Sequence, residues 1–175
     1  MILASRSPQR RAILEQLGIA VEVRPADVEE LAQGDPRDVA LENARRKVGS
    51  RADTLGVDTL VALDGRIYGK PADAAHARET LGALSGRTHE VVSGLVYGDD
   101  GVTVTTEVTF REASDELLDW YVATDEWRGR AGGYAIQGRG AALVRGIRGD
   151  YSNVVGLPVA ALLDLVGVAA LLGRS

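Results

Sequence analysis

The sequence predicts a mixed α/β fold. Three observations carry this prediction: short apolar or alternating runs typical of β-strands, amphipathic stretches typical of helices between them, and turn residues at the boundaries. The approximate element order is βαβαββαββαβα, without an internal repeat or a low-complexity linker. The chain has 175 residues, of which 45 % are hydrophobic, so we expect one domain, or two small lobes that share a core.

The first part of the chain alternates strand and helix. Residues 2–4 form a strand candidate, and Ser7-Pro8 supplies an N-cap and a first-turn proline for a helix that ends at Gly18. A strand is expected at residues 21–23, and Asp35-Pro36 begins a second helix. The apolar residues at helical spacing predict its buried side: Val39, Ala40, Leu41, Ala44 and Val48.

A hairpin in the middle of the chain is the most informative stretch. Residues 60–63 are wholly apolar, as in a strand buried on both faces, and Asp64-Gly65 predicts the turn. Asp58 and Thr59 enter this strand side by side, and a carboxylate there is costly to bury unless a cation, a metal ion or a hydrogen bond meets it. Lys70 follows the hairpin. A carboxylate and a lysine carried on one hairpin predict a phosphate-and-metal site.

The second half of the chain continues the alternation of helices and strands. The predicted elements are a helix capped by Asp73 and closed at Ser85-Gly86, strands at 88–97 and 102–110, a helix that Ser114 opens, a strand at 142–147, a turn at 150–153 and a closing helix at 159–172. Both histidines are predicted to be structural or to lie on the surface, since no second histidine stands at metal-ligand spacing.

A glycine-rich segment occupies residues 129–140. It is neither a Walker loop nor the dinucleotide fingerprint. Closely spaced glycines let a backbone approach a ligand, but they also serve ordinary tight turns, and the sequence leaves both interpretations open. The amide of Gln137 has the donor and acceptor needed to read a base edge.

Arginines crowd the start of the first helix. Arg6, Arg10 and Arg11 stand where the helix dipole disfavours cations, and an anionic ligand such as phosphate would remove the conflict. The alternative is that these arginines are merely solvated. Only Lys47 and Lys70 are lysines among 20 basic residues, which indicates either a need for compact point charges or chance.

Composition excludes several classes of protein. A net charge of −5 disfavours broad nucleic-acid binding, and the absence of cysteine excludes disulfides and cysteine-ligated metals. No apolar run reaches membrane-spanning length, and the first residues do not have the apolar core of a signal peptide. We therefore expect a cytoplasmic protein without a membrane or nucleic-acid partner.

Several short motifs follow one another in a specific order and spacing, and together they resemble the Maf family of septum formation inhibitor-like nucleotide pyrophosphatases over nearly the whole chain. The matching motifs are Leu3-Ala4-Ser5-x-Ser7-Pro8 with Arg10, Glu29-Glu30, Ala44-Arg45-x-Lys47, Asp58-Thr59, Leu63-Asp64-Gly65, Gly69-Lys70-Pro71, Leu84-Ser85-Gly86, His89, Ala131-Gly132-x-Tyr134-x-Ile136-Gln137-Gly138 and Val154-Val155-Gly156-Leu157-Pro158. Each motif alone is weak, and the set is specific.

The resemblance implies a fold and a reaction. The fold would be like that of inosine triphosphatase-type enzymes: residues 1–175 as one domain, whose elongated mixed sheet and flanking helices form two lobes around a central cleft. The activity would be that of a cytoplasmic nucleoside triphosphate pyrophosphatase, nearest the dTTP/UTP branch, which removes unwanted nucleotides from the pool. The resemblance also implies Mg²⁺ or Mn²⁺, a homodimer and a role in cell-division arrest.

The resemblance assigns the chemistry to matching residues of this chain. Asp58 would be the base that activates water for attack at the α-phosphorus, and Glu30 would help Asp58 to hold the metal ion. The cations that would neutralise the triphosphate are Arg10, Lys47 and Lys70. The residues that would hold phosphate oxygens are Ser5 and Ser7.

Three positions bear on substrate choice. Thr59 and Gln137 match the dTTP/UTP branch, whereas Gln9 stands where that branch usually has arginine. Another branch, which resembles 7-methyl-GTP enzymes, has tryptophan at the position of Gln9 and has Gln and Glu in place of Thr59 and Gln137. We therefore expect a broader or altered pyrimidine preference.

A second hypothesis is a nucleotide-binding regulator of septum formation with little hydrolysis. The family name and two hydrophobic residues expected to be exposed, Trp120 and Trp127, motivate it. Trp127 is expected more often to pack in a core or hinge than to stack on a base. The complete set of acidic and basic site residues argues against a pure binding module.

Overall fold

A computed structural model describes the backbone of residues 1–172 and the side chains as far as Ala170. The strands are β1 (Ile2–Leu3), β2 (Glu22–Val23), β3 (Thr54–Leu63), β4 (Arg66–Tyr68), β5 (Thr88–Tyr97), β6 (Asp100–Phe110) and β7 (Val144–Arg148). The α-helices are α1 (Pro8–Gln16), α2 (Pro36–Val48), α3 (Ala74–Leu84), α4 (Asp115–Val122), α5 (Tyr151–Val155) and α6 (Val159–Val166). Short 3₁₀ helices lie at Ala131–Gly133, Arg139–Ala142 and Val168–Leu172.

The seven described strands form one mixed sheet. Its order is β2-β1-β3-β5-β6-β7, and β4 pairs with β3 outside this path. Strand β1 is parallel to β2 and β3, and the remaining pairings are antiparallel. The predicted mixed α/β class with flanking helices is therefore confirmed.

Strand β3 has a gap along one of its edges. On that edge β1 pairs with residues 54–55 and β4 pairs with residues 61–63. Residues 56–60 pair with β5 alone. Side chains fill the gap in place of a strand: the Val57 carbonyl accepts hydrogen bonds from Arg10 Nη1 at 3.0 Å and from Lys47 Nζ at 3.3 Å. A buried carbonyl needs such partners, and here they bring two cations to the middle of the sheet.

Two glycines let helix α2 lie directly on the sheet. A Cβ added to Gly56 would stand 2.2 Å from the Ala44 carbonyl oxygen, and one added to Gly94 would stand 2.3 Å from the Ala40 carbonyl oxygen. Both distances are far below van der Waals contact, so no other residue fits without moving the helix. Gly94 is the cross-strand partner of Asp58. The buried side of α2 is therefore held next to the Asp58 carboxylate.

Two hydrophobic clusters lie at opposite ends of β3. One packs Leu55 and Val57 with α1, α6 and β5, and the other packs Val61 and Leu63 with α3, α4 and β6. Asp58 and Thr59 fall between the two clusters along the strand. The polar pair thus occupies the point where the hydrophobic core is interrupted. The single domain with two lobes stays a prediction.

Three predicted details differ from the structure. Asp58 and Thr59 lie in the middle of β3 and not at its entry, because the strand already begins at Thr54. Residues 150–153 are not a turn, since the Asp150 side chain caps the short helix α5. The closing helix stops at Val166 because Gly167 adopts φ +77°.

Burial of the aromatic residues and histidines sorts structural residues from surface residues. Trp127 is 1 % exposed and packs in the core, which confirms the favoured expectation for it and rules out the exposure that the regulator hypothesis assumed. Trp120 is 47 % exposed, as expected. His89 is buried against Phe110, and its Nε2 lies 2.9 Å from the Tyr134 hydroxyl, while His76 is exposed. Burial lowers the pKa of His89 to about 4, so its imidazole is neutral in the core. Within the described residues no helix is both long and apolar enough to cross a membrane.

We predict that Gly94→Ala destabilises the protein, because the new methyl group would collide with the backbone of α2. Overpacking of this kind typically costs about 1–3 kcal/mol. The free energy of unfolding in urea measures the effect. The matched control is Gly82→Ala in α3, where an added Cβ meets nothing within 4 Å and where alanine favours the helix. Equal unfolding midpoints for Gly94→Ala and the wild type would contradict the proposed close contact.

Candidate active site

A cavity of about 1020 Å³ opens beside the gap in β3. This volume is at the upper end of the range for small-molecule sites. All ten residues assigned to the site from the sequence line this cavity: Ser5, Ser7, Gln9, Arg10, Glu30, Lys47, Asp58, Thr59, Lys70 and Gln137. They come from segments spread between the N-terminus and the glycine-rich segment, so the fold brings distant parts of the sequence together. Their placement in one cavity agrees with the predicted site, and their individual roles stay predictions.

The Asp58 carboxylate is the best-connected group of the cavity. Asp58 is buried, with 5 % of the residue exposed. Oδ1 accepts a hydrogen bond from Lys47 Nζ at 2.6 Å, and Oδ2 accepts one from Asn43 Nδ2 at 3.0 Å. The expectation that a buried carboxylate at this position needs a cation or a hydrogen bond is confirmed. Each oxygen keeps further lone-pair capacity for a proton or a ligand.

Lys47 connects the two carboxylates of the site. Its Nζ contacts Glu30 Oε1 at 2.7 Å as well as Asp58, and it also donates to the Val57 carbonyl. An ammonium group has three donors, so Lys47 is fully engaged by the protein. The two carboxylates face two cations, because the buried Arg10 guanidinium also interacts electrostatically with Asp58 and Glu30. Since Lys47 contacts one oxygen of each carboxylate, both carboxylates keep lone pairs that could meet a metal ion.

The donor set fits Mg²⁺ bound together with a substrate, and it does not fit an all-protein metal cage. Among the described residues no group of three or more His, Cys, Asp or Glu side chains is placed to hold a metal ion. Mg²⁺ commonly uses one or two carboxylates, several waters and substrate phosphates. Asp58 and Glu30 provide such a pair of carboxylates, since both lie on one Lys47 ammonium.

Asn43 is a site residue that the sequence analysis missed. It is 1 % exposed and lies one helical turn before Lys47 on the buried side of α2. Its amide group binds Asp58 on one side and the backbone of Leu31 on the other. The signal in the sequence was a polar amide within the predicted apolar stripe of this helix. One residue of the predicted buried side differs from the prediction: Leu41 is only half-buried.

Arg10 holds together the segments around the cavity. Its Nε donates to the Gly156 carbonyl at 2.9 Å, Nη1 donates to Ser5 Oγ at 2.9 Å and to the Val57 carbonyl at 3.0 Å, and Nη2 donates to Thr59 Oγ1 at 3.0 Å. Burial lowers the pKa of Arg10, against the opposing effect of the Asp58 and Glu30 carboxylates. Since a guanidinium has five N–H donors, one remains for a ligand. Arg10 is therefore mainly a structural tie between these segments.

The cations that remain available for an anionic ligand lie elsewhere in the cavity. Arg6, Lys70 and Arg130 line it and form no salt bridge within the described part of the chain. Arg11, by contrast, points to solvent and pairs with Glu15. Arg130 was not singled out from the sequence, although it belongs to the glycine-rich segment. Three such cations facing one cavity suit a polyphosphate.

The hydroxyl groups of the N-terminal segment are engaged by the protein. Ser5 Oγ accepts from Arg10 and, at 3.2 Å, from the Ser7 amide. Ser7 caps α1, and its hydroxyl donates to Gln9 Oε1 at 3.2 Å. Gln9 is therefore held at the start of α1 by its neighbour. These bonds order the loop between β1 and α1, which forms one wall of the cavity.

Thr59 and Gln137, the other two positions assigned to substrate choice, lie in a strand and on a turn, respectively. Thr59 Oγ1 is 2.8 Å from Ser93 Oγ, so its hydroxyl is fixed within the sheet. Gln137 is exposed on a turn. The Glu126 carboxylate anchors that turn by accepting hydrogen bonds from the amides of Arg139 at 3.1 Å and Gly140 at 3.3 Å. The turn holds Gln137 at the cavity and leaves its amide accessible.

The glycine-rich segment packs against the protein itself at two of its glycines. Gly132 and Gly133 have positive φ, and added Cβ atoms would stand 2.8 Å from Val61 and 3.1 Å from Pro71. The Gly132 amide also donates to the Gly69 carbonyl at 3.1 Å. These two glycines bring the backbone close to the protein itself, which is neither the approach to a ligand nor only the tight turn that the sequence left open. The contact joins Arg130 and Lys70 to one wall of the cavity.

Comparisons with known proteins identify the family to which this sequence is similar. The sequence model of the family described as "Maf-like protein" matches residues 1–168. A protein named dTTP/UTP pyrophosphatase from Pyrococcus furiosus is 46 % identical, over 99 % of this chain and 97 % of its own length. Proteins of the same name from Bacillus cytotoxicus and Anaeromyxobacter dehalogenans are 47 % and 46 % identical, over 93 % and 91 % of this chain and 91 % and 89 % of their own lengths.

We predict that Arg10→Lys lowers the free energy of unfolding, because lysine cannot reproduce the four hydrogen bonds of the guanidinium. Leaving the buried carbonyls of Val57 and Gly156 without this donor should cost about 1–3 kcal/mol. Urea unfolding measures the loss. Arg11→Lys is the matched control, since Arg11 is the next residue and makes only an exposed pair with Glu15. Equal stability of the two variants would show that Arg10 is not a structural tie.

Proposed function

The chain belongs to the Maf family, and from that premise we propose that it is a nucleoside triphosphate pyrophosphatase, which hydrolyses a nucleoside triphosphate to the monophosphate and pyrophosphate. The observation that carries the proposal is the Asp58–Lys47–Glu30 cluster, which lies in the same cavity as three uncommitted cations. The first group supplies a base beside a cation site, and the second group supplies charge for a polyphosphate. The names of the relatives support the same reaction.

Asp58 would act as the general base. Its carboxylate would accept a proton from water as the water oxygen forms a bond to the α-phosphorus, and the bond from that phosphorus to the bridging oxygen would break to release pyrophosphate. The hydrogen bonds from Lys47 and Asn43 hold the carboxylate in one orientation. A base fixed in this way loses little entropy when the substrate binds.

The uncommitted cations would bind the β- and γ-phosphates. Lys70 and Arg130 lie on segments that the Gly132 amide joins, and Arg6 lies in the loop between β1 and α1. Charge on the leaving pyrophosphate increases as the phosphorus–oxygen bond breaks, so cations placed there stabilise the transition state. Arg10 would contribute its one remaining N–H and would order the loop that carries Ser5.

Asp58 and Glu30 would hold Mg²⁺ or Mn²⁺ together with the substrate phosphates. When bound, the metal ion would neutralise part of the triphosphate charge and polarise a phosphoryl oxygen. The protein contributes the two carboxylates and their alignment by Lys47. The lone pairs that these two carboxylates keep free of Lys47 support the proposed metal dependence.

The proposed substrates are dTTP, UTP and modified pyrimidine nucleotides. The relatives named dTTP/UTP pyrophosphatase support this choice, as do Thr59 and Gln137 at the lining of the cavity. Gln9 replaces a charged residue by an amide that Ser7 holds, and we propose that it broadens or alters the preference. The homodimer and a role in cell-division arrest stay predictions from the family resemblance. The cytoplasmic location and the absence of a nucleic-acid partner stay predictions to which the composition of the chain contributes.

We predict that Asp58→Asn lowers pyrophosphate release by about 100-fold or more, as expected for loss of a general base. The assay would measure pyrophosphate from dTTP, UTP, CTP, 7-methyl-GTP, 5-methyl-UTP and pseudo-UTP with Mg²⁺, with Mn²⁺ and after chelation. The matched control is Asp64→Asn at the hairpin turn, an exposed carboxylate that pairs with Arg87 and does not line the cavity.

The outcomes separate the two functions considered. Release that requires a metal ion, survives Asp64→Asn and is lost in Asp58→Asn supports the enzyme. Nucleotide binding without release from any triphosphate would reject it in favour of a regulator, and a search for a protein partner would begin at the exposed Trp120. Full turnover in Asp58→Asn would reject the assignment of the base.

A further inference from the structure

We propose that Asn43 is a positioning residue that sets the relative placement of the two carboxylates, Asp58 and Glu30. The proposal rests on the proposed function for its catalytic consequence, and it stands on the structure for the contacts. Asn43 joins two parts of the site that are distant in sequence: strand β3, which carries Asp58, and the loop before α2, which carries Glu30. It acts through these groups and needs no contact with the substrate.

The contacts of Asn43 use the whole amide group. Its Oδ1 accepts from the Leu31 amide at 2.7 Å, while Nδ2 donates to the Leu31 carbonyl at 3.0 Å and to Asp58 Oδ2 at 3.0 Å. The side chain is 1 % exposed, so water cannot replace these partners. A side-chain amide bound to both the N–H and the carbonyl of one residue has a defined orientation, because the reverse orientation would place Oδ1 against a carboxylate oxygen and a carbonyl oxygen.

The loop that carries Glu30 depends on this contact. Residues 24–35 contain neither helix nor strand, so their position must come from individual contacts. Leu31 packs beside Val39 and Leu60, and Arg46 donates from the exposed side to the Glu29 carbonyl at 3.1 Å. The tie through Asn43 is the less exposed of the two, since its bonds to Leu31 are partly buried and come from a fully buried side chain. Hydrogen bonds shielded from water contribute more to order than exposed ones. Glu30 directly precedes the residue that Asn43 holds.

The same amide fixes the rotation of the Asp58 carboxylate. Lys47 occupies Oδ1 and Asn43 occupies Oδ2, so each oxygen has its own partner from successive turns of α2. Removal of the amide would leave Asp58 Oδ2 without its donor and would at the same time free the loop that carries Glu30. Loss of such a supporting partner typically costs about 10–100-fold in metal affinity or activity. We therefore expect a fall in kcat and weaker binding of the metal ion, with little change in KM for the nucleotide.

The experiment compares Asn43→Leu and Asn43→Asp with the wild type. Leucine fills the site with a branched apolar side chain and removes all three hydrogen bonds. Aspartate keeps the acceptor for the Leu31 amide and places another carboxylate beside Asp58. The kinetic readouts are kcat and KM for UTP and the Mn²⁺ concentration at half-maximal rate. The binding readout is the affinity for Mn²⁺ in the presence of UMP and pyrophosphate. The structural readout is hydrogen exchange at the Leu31 amide. We expect kcat to fall about 10–100-fold in both variants. In Asn43→Leu, Mn²⁺ binding should also weaken and the Leu31 amide should lose its protection, whereas in Asn43→Asp, which keeps the acceptor, the Leu31 amide should stay protected.

The matched control is Arg46→Met, which removes the exposed tie to the same loop from the same helix. It should leave kcat and Mn²⁺ affinity close to those of the wild type. Unchanged kcat, Mn²⁺ affinity and Leu31 exchange in folded Asn43 variants would overturn the proposal, and so would an equal effect of Arg46→Met.

A measurement on the wild type keeps the proposal testable if the variants fail to fold. The Leu31 amide, which donates to a buried acceptor at 2.7 Å, should exchange more slowly than the other amides of residues 29–33. Exchange at the same rate as its neighbours would overturn the proposal. Failure of the proposed function looks different: the wild type would then release no pyrophosphate, while Leu31 would still be protected in the wild type and exposed in Asn43→Leu.

Discussion

The structure depends on a buried carboxylate placed at a gap in the sheet. Strand β3 is paired on one edge by β1 near its start and by β4 near its end, and residues 56–60 between them are open on that side. Asp58 lies at this gap, where it is too buried to be fully hydrated and where no neighbouring strand lies on that edge of β3. Burying an uncompensated carboxylate would cost several kcal/mol. The neighbouring elements therefore have to bring donors to it, and helix α2 does so with Asn43 and Lys47. That helix comes close enough only because Gly56 and Gly94 have no side chain.

This constraint divides the polar residues of the cavity into two kinds. Arg10 and Lys47 are buried, and protein acceptors occupy most or all of their donors, so they hold loops, strand and carboxylates in place. Arg6, Lys70 and Arg130 line the same cavity without a salt bridge within the described residues, so they remain available to an anionic ligand. Because the residues that hold the site in place are not the ones left free for a ligand, the site can bind a highly charged substrate without rearranging its buried part.

The sequence predicted the fold class and most elements, because strand periodicity, helix caps and hairpin turns are local signals. The ten site residues were grouped through the family resemblance, which local signals could not supply, and they line one cavity. The sequence did not reveal Asn43, since an amide on an apolar helix face has no meaning until the helix is known to lie against Asp58. It also did not show that Arg10 is committed to four internal acceptors, because three of them, Val57, Thr59 and Gly156, are distant in sequence. The errors at residues 150–153 and 159–172 have local causes: Asp150 caps a helix where a turn was expected, and Gly167 stops a helix that the apolar pattern would have continued. Tertiary contacts and single backbone conformations, rather than composition, decided these points.

The central claim is that a triphosphate binds with its α-phosphorus beside Asp58 and its other phosphates towards the uncommitted cations. A crystal structure of the Asp58→Asn variant, soaked with UTP and Mg²⁺, tests it most directly. The account predicts the α-phosphate next to the substituted side chain, the metal ion beside Glu30, and the β- and γ-phosphates within reach of Lys70 and Arg130. A triphosphate bound away from the gap in β3, with the base or the ribose beside residue 58, would contradict it.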